Sequence, residues 1–239
     1  MIEIRELTVQ FGAVRSLNEV TFEFPMGTCG LIGPNGAGKT TFFNALSGFV
    51  KPKTGSVRVF GTELVGMRAY RRARWGVRRT FQTEQAIQEL SVFDNVRMVH
   101  EQSASGGKGR IAAIGRAIEF VGLASVANKP VGTLSAGERR LVELARAVVG
   151  SPKLVLLDEP AAGLPDEETR ELSGLIRRIP EEHGALTILV DHDMDLVSSC
   201  CSTTAVLDFG RLVAVGPTSE VLRDQRVIRA YLGDEEVAS

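Results

Sequence analysis

The stretch Gly33-Pro34-Asn35-Gly36-Ala37-Gly38-Lys39-Thr40 constrains this chain more than any other. It satisfies the eight-position pattern G-x-x-x-x-G-K-[ST] at every fixed place. It also sits between a short apolar run, Thr28–Ile32, and a run of helical spacing from Gly38 to Ser47 that Gly48 stops. Glycines at 33, 36 and 38 let the backbone turn tightly and aim successive N–H groups at one anion. The helix that starts near Gly38 adds the positive end of its dipole. Lys39 brings a full charge to the outer phosphates of a nucleotide, and the Thr40 hydroxyl is placed to ligate Mg²⁺. Gly33, Pro34, Asn35, Gly36, Ala37, Gly38, Lys39, Thr40 and the adjacent Thr41 are therefore candidate nucleotide contacts. A glycine-rich turn that binds nothing would have to match every fixed position by chance.

The rest of the chain supplies the fold that such a loop needs. Alternating apolar positions in Ile2–Val9 and Val20–Phe24 read as strands with one covered face, and Gly55–Gly61 as a strand bracketed by glycines. Leu154–Leu157 is an unbroken apolar run, as expected of a parallel strand buried on both faces. A helix over Asp166–Ile179, a strand over Leu186–Val190, a helix near Met194–Cys200 and a strand over Thr204–Asp208 follow. This alternation predicts an α/β fold with a largely parallel sheet covered on both sides. Leu154–Leu157 delivers Asp158 and Glu159 to the carboxyl end of a core strand, where ligands of α/β sheets bind. An aspartate there can hold Mg²⁺ directly or through its waters. Glu159, pointing differently, can accept a proton from an attacking water. The alternative is two acids that simply end a strand and face solvent.

From roughly residue 84 to 150 the pattern turns helical. Ser91 and Asp94 offer caps ahead of Val96–Val99, Ser103–Gly109 reads as a flexible loop, and Ile111–Phe120 and Ala136–Val149 read as two more helices. The expected organisation is one domain, 1–239, with an α/β core over 1–83 and 151–239 and an inserted helical lobe over 84–150. A chain of 239 residues is long enough for that. Twenty-eight basic residues against 29 acidic ones leave a net charge of -1, which argues against nucleic acid or an anionic membrane as a direct partner. Cys29, Cys200 and Cys201 form neither a metal-ligand spacing nor a disulfide framework and suit a reducing cytosol. There is no secretion signature at the start and no apolar run near the ~20 residues of a bilayer span. The chain is expected to stay inside the cell, with any membrane supplied by a partner.

Four further pieces make the chain resemble the nucleotide-binding subunits of ATP-binding-cassette (ABC) transporters. Leu134-Ser135-Ala136-Gly137-Glu138 is similar to that family's signature loop. Thr80-Phe81-Gln82 is similar to the segment whose glutamine senses Mg²⁺ and the membrane partner, and Asp191-His192-Asp193 to the switch-histidine segment. Phe11, between the first two strands, resembles the aromatic residue that stacks on adenine. The resemblance implies a P-loop NTPase with a RecA-like core, an antiparallel β subdomain and an inserted helical subdomain. It implies ATP and Mg²⁺ as cofactors, with Thr40, Gln82 and Asp158 at the metal and Lys39, Glu159 and His192 as catalytic groups. It further implies that Ser135 and Gly137, with Glu138 beside them, reach the γ-phosphate of ATP on a facing subunit in a head-to-tail dimer with two sandwiched ATPs. Residue by residue there are plainer readings: His192 as a helix-start histidine without a role, Gln82 as a solvated polar residue, Phe11 as a core aromatic. Ser135 is expected to be the N-cap of Ala136–Val149 in any case.

Within the family, the runs Asp158–Leu164, Glu168–Leu172, Phe43–Phe49, Asp191–Val197 and Val227–Gly233 resemble the branched-chain amino acid import subunits. That implies two integral permeases, a second related ATPase and an extracytoplasmic binding protein as partners, at the cytoplasmic face of the membrane. Related subunits serve urea, short amides or other organic acids. Pro165, where the family usually has Asp or Asn, Ala136 and a short span from Gln82 to Ser135 are departures from the usual pattern. Two rival functions remain open at this point. The Glu138-Arg139-Arg140 flank and the Tyr-Leu-Gly tail are shared with lipopolysaccharide-type export ATPases. Arg68, Arg71, Arg72, Arg74, Arg78 and Arg79, with Tyr70 and Trp75 interleaved, would suit a soluble cassette ATPase acting on DNA or ribosomes. The expectation for that run is a solvated helix with arginine stems on its surface.

Overall fold

The computed structural model describes residues 1–103 and 109–232. Residues 104–108 of the expected flexible loop, and Gly233 of the tail, lie outside the described residues. Strands β1 (Ile2–Phe11), β2 (Val14–Phe24), β4 (Thr54–Val59) and β5 (Thr62–Glu63) form an antiparallel sheet in the order β2-β1-β4-β5. Both β1 and β2 run longer than their apolar alternation predicts. Glu6 (φ 47°) and Glu19 (φ 54°) are left-handed, and the β1–β2 register shifts between Ile4 and Leu7 and again between Leu7 and Val9. A bulge changes which side chain faces inward, so the period of two breaks in the sequence while the pairing continues.

The second sheet contains β3 (Thr28–Ile32), β6 (Val77–Arg79), β7 (Leu154–Asp158), β8 (Leu186–Val190), β9 (Thr203–Asp208) and β10 (Arg211–Pro217), in the order β10-β9-β3-β8-β7-β6. Only β10 pairs antiparallel, against β9. Strand β7 shows why its sequence is continuously apolar. Leu154 and Leu156 join a core shared with the antiparallel sheet, while Val155 and Leu157 join a second core on the other face. Both faces are covered.

Helix α1 (Lys39–Ser47) lies in the first core, where Phe42 and Phe43 are fully buried and Phe42 stacks on Phe22 at 5.6 Å. Each such phenyl ring contributes about 2 kcal/mol by leaving water. Helix α2 (Ala69–Trp75) precedes the edge strand β6. Helices α3 (Val92–Glu101), α4 (Arg110–Phe120) and α5 (Ala136–Val148) pack together and share the second core with α6 (Asp166–His183) and α7 (Met194–Cys200). Helix α3 starts at Val92, earlier than the apolar spacing predicts, because Ser91 caps it by accepting the Asp94 N–H at 3.0 Å. Two short helices, α8 (Thr218–Val221) and α9 (Gln225–Leu232), follow β10. No helix of the described residues is long and apolar enough to cross a membrane.

The strand order decides what meets what. The carboxyl ends of β3, β8, β7 and β6 lie side by side, so the segments after Ile32, Val190, Asp158 and Arg79 share one edge of the sheet.

Candidate nucleotide site

After β3 the chain turns sharply through Gly33, Gly36 and Gly38, with φ values of 148°, 81° and 106°. At Gly33 a side chain is impossible, since an added Cβ would stand 2.0 Å from the Leu207 carbonyl oxygen. The turn is closed by Ala37, whose N–H donates to the Pro34 carbonyl at 3.1 Å and whose carbonyl accepts the Gly210 N–H at 3.0 Å. Asn35 and Thr40 are exposed, and Pro34 is half-buried. Thr41 is tied to β2 through the Ser16 hydroxyl at 2.8 Å. Helix α1 has no side-chain cap and no acid in its first turn, so its leading N–H groups are left for something outside the chain. The Lys39 ammonium folds back onto the Gly33 and Pro34 carbonyls at 2.5 and 3.0 Å. Burial pushes its pKa below the ordinary lysine value, and the carboxylates of Glu159 and Asp158 pull it back up.

Asp158, the last residue of β7, has a side chain only 4% exposed. Its Oδ2 accepts Arg79 Nη2 at 2.8 Å, and its N–H donates to the Thr80 hydroxyl at 3.1 Å. Its Oδ1 is buried and has no partner. Glu159, next along, is left-handed (φ 47°) and donates its N–H to the Val190 carbonyl at 2.8 Å. Holding a non-glycine residue there costs about 1–3 kcal/mol, and the turn swings Glu159 out of the strand direction into a half-buried position.

At the end of β8, Asp191 is buried and its Oδ1 accepts the N–H groups of His192 and Asp193 at 2.8 and 3.0 Å. Burial raises the Asp191 pKa against the pull of those two donors. The His192 ring is 74% exposed, its Nδ1 3.7 Å from Asp191 Oδ1. Gln82 is exposed just past β6, and Phe11 stands 52% exposed at the end of β1 instead of joining the core.

The second anion-ready segment is built differently. Ser135 Oγ accepts the Glu138 N–H at 3.1 Å while Glu138 Oε2 accepts the Ser135 N–H at 2.8 Å, a complete capping box on α5. Gly137 is pressed against α6, since an added Cβ would lie 2.3 Å from Glu168 Oε2. Helix α5 is fastened to the glutamine segment by Arg139 on Glu84 at 3.1 Å and by Glu143, which accepts the Gln85 N–H at 2.8 Å. Among the described residues no hydrogen bond or ion pair joins Ser135, Gly137 or Glu138 to residues 33–41. Lys39, Thr40, Asp158, Glu159, His192 and Gln82 thus sit on neighbouring strand ends of one sheet edge, and among the described residues the Ser135 segment has no hydrogen bond or ion pair to the phosphate loop.

The sequence model of the ABC transporter family matches residues 17–162, and that of the branched-chain amino acid ATP-binding cassette transporters matches residues 211–237. The high-affinity branched-chain amino acid transport ATP-binding protein LivG of Escherichia coli (strain K12) is 36% identical over 250 residues, 98% of each chain. Its counterpart BraF of Pseudomonas aeruginosa is 35% identical over the same span. The chain belongs to the ABC transporter ATP-binding family, in its branched-chain amino acid group. As an ABC cassette it binds ATP and couples ATP hydrolysis to transport. The cassette fold is shared with a nucleotide-free ATP-binding cassette from an ABC transporter, with a TM-score of 0.86 at 23% identity over 98% of this chain and 99% of that one. A dimeric cassette in a post-hydrolysis state with ADP and Pi shares it at a TM-score of 0.76 and 21% identity, over 91% of this chain and 99% of the other.

The cassette also corrects one expectation. The arginine run is not a uniformly solvated face. Arg68, Arg71 and Arg74 are exposed, but Arg72 and Arg78 are buried and the Arg79 side chain is 7% exposed. Arg72 donates to the Met67 and Leu46 carbonyls at 2.8 and 2.9 Å and to that of Ala45, neutralising the negative end of α1. Arg78 donates to the Ala73 and Val77 carbonyls. Backbone carbonyls carry no residue-type signal, so the sequence could not announce these partners. The one clue was Gly76, which ends the helix and lets the run turn into a strand.

Proposed function

We propose that this chain is the ATPase subunit of an importer for branched-chain or similarly small amino acids or amides, peripheral to the cytoplasmic face of the inner membrane. The observation that carries this reading is the meeting of the phosphate loop, the Asp158–Glu159 turn and the His192 turn on adjacent strand ends, in a chain of the branched-chain group. Lys39 and the open N–H groups of α1 take the β- and γ-phosphates, Phe11 stacks on adenine, and Gly33 to Thr41 wrap the triphosphate. The residues present fit a magnesium ion, because Asp158 keeps a buried carboxylate oxygen unpartnered among the described residues, on the sheet edge whose neighbouring strand ends lead to the exposed Thr40 and Gln82. When bound, Mg²⁺ supplies neutralisation of the outer phosphate charge. Glu159, turned out of β7, orients water and takes its proton, while His192 steadies the γ-phosphate.

Ser135, Gly137 and Glu138 act on the nucleotide of a second cassette in a head-to-tail dimer, and the lack of any hydrogen bond or ion pair from them to residues 33–41 among the described residues supports that reading. Residues 84–150 form the lobe that carries them, inserted between 1–83 and 151–239. Beside Gln82, the exposed Phe49 and Tyr70 and the adjoining Phe81 offer an apolar groove to the permeases, with an extracytoplasmic binding protein delivering the cargo to them. Affinity purification from solubilised membranes, with mass spectrometry of what is retained, tests the assignment. Two integral permeases and a related cassette are expected; a lipid-bridge component in their place would overturn it.

A further inference from the structure

We infer that Arg79 is a positioning residue that decides which oxygen of Asp158 faces the metal, and that it ties this carboxylate to the phosphate helix and to the glutamine segment. Arg79 is the last residue of β6, and its guanidinium makes two divergent contacts. Nη2 donates to Asp158 Oδ2 at 2.8 Å and Nη1 donates to Asn44 Oδ1, on α1, at 2.7 Å. The plane lies 5.4 Å from the Phe43 ring centroid and 5.0 Å from that of Phe81. With 7% and 4% exposure, the Arg79 and Asp158 side chains are both inside the protein.

Burial sets the energetics. A carboxylate removed from water without a counter-charge is costly, and Asp158 is given one by Arg79. Through the same contact Arg79 holds the carboxylate in one orientation. Its neighbour Thr80 fixes the backbone in parallel, accepting the Asp158 N–H at 3.1 Å and donating its own N–H to Leu156 at 2.9 Å. The outcome is an asymmetric carboxylate, with Oδ2 occupied by Arg79 and Oδ1 buried and open. A rigid planar fork holds Asp158 and Asn44 in a fixed divergent geometry that a freely rotating ammonium does not impose. Because Arg79 lies two residues before Phe81 and three before Gln82, and Phe81 faces Phe49 at 6.2 Å, displacement of that segment moves the guanidinium and hence the carboxylate.

The inference rests on the reading of Asp158 as the metal holder, and the test separates the two. Mn²⁺ binding is followed by electron paramagnetic resonance with a non-hydrolysable ATP analogue, and ATP affinity by calorimetry in EDTA, for the wild type, Arg79→Lys and Asn44→Ala. Outer-shell partners of metal ligands are worth about 10–100-fold in affinity, so half-saturating Mn²⁺ should rise at least ~10-fold in Arg79→Lys. It should rise about threefold in Asn44→Ala, which loses one arm of the fork at a half-buried site and leaves the ion pair whole. Metal-free ATP affinity should change by less than about twofold in both. Unchanged or tighter Mn²⁺ binding in a folded variant overturns the inference, as does an equal loss of ATP binding with and without metal. A wild type without nucleotide-dependent Mn²⁺ binding overturns the metal-site reading itself.

Discussion

Helices α1 and α5 both begin at candidate anion-binding segments, yet the two ends are finished in opposite ways. Helix α1 begins after Gly38 with no capping side chain, no acid in its first turn and Lys39 at its first position. Helix α5 begins with a reciprocal capping box in which Ser135 and Glu138 satisfy each other's N–H groups, and Glu168 lies against Gly137. One end is electrostatically incomplete without an anion. The other is complete by itself and offers a ligand only what it can take from a cap worth about 1 kcal/mol. A strong site and a weak site follow from this. In the proposed dimer, the strong end holds ATP in each subunit, and the weak end of the partner closes over it only once ATP is there.

The largest effect should come from Glu159→Gln. An amide cannot accept the water proton, so hydrolysis should slow about a thousandfold while α1 and Lys39 keep their hold on ATP. With ATP persisting, α5 of a second copy should engage, and the variant should elute as a dimer with ATP and as a monomer without it. A variant that stays monomeric with ATP bound would sink the assignment of α5 to a partner's nucleotide. Next in size is Lys39→Ala. Loss of the ammonium should weaken ATP binding about a hundredfold, on the order of 3 kcal/mol, by calorimetry. Unchanged affinity would mean that α1 is not the incomplete end.

Ser135→Ala sharpens the contrast from the other side. Removing half of the capping box should lower stability by about 1 kcal/mol in urea titration. Affinity of the monomer for ATP should stay the same, because among the described residues nothing connects Ser135 to residues 33–41. A matching fall in monomer ATP affinity would show the two ends to be one site.

How far the sequence could be read depended on how local each feature is. Residues 33–40 are contiguous and their chemistry is backbone turns, one charge and one hydroxyl, so the loop was legible outright. So were β7 and β8, because strands buried on both faces are nearly all apolar, the buried Thr187 being the polar residue of β8. The bulges at Glu6 and Glu19 hid the full length of β1 and β2 by breaking the alternation that marks a strand. Arg79 was read with its neighbours as surface charge because its partners, Asn44 and Asp158, are distant in the chain and adjacent only once β6 pairs with β7. The same holds for Gly137 and Glu168, whose contact exists only after α5 and α6 pack.

The smallest effect concerns two buried carboxylates on adjacent strand ends. Asp158 has Arg79 at 2.8 Å, whereas the charged and titratable groups around Asp191 are His192 at 3.7 Å from its Oδ1, the like-charged Asp193 and the buried Cys200 and Cys201 thiols. Among the described residues no cation within hydrogen-bond reach answers Asp191, and burial raises its pKa above the ordinary 3.8 despite two backbone donors. The folded chain therefore binds that proton more tightly than the unfolded chain does. The associated stability is fully present below the unfolded value and is lost as pH rises through the folded one. Asp191→Asn keeps an acceptor for the His192 and Asp193 N–H groups and removes the titration. Its stability relative to wild type should therefore be more favourable at about pH 7 than at about pH 4, read as a shift in urea midpoint. A difference that is flat with pH, or that runs the other way, would mean that Asp191 is as well compensated as Asp158, and that the site's two inner carboxylates do not differ after all.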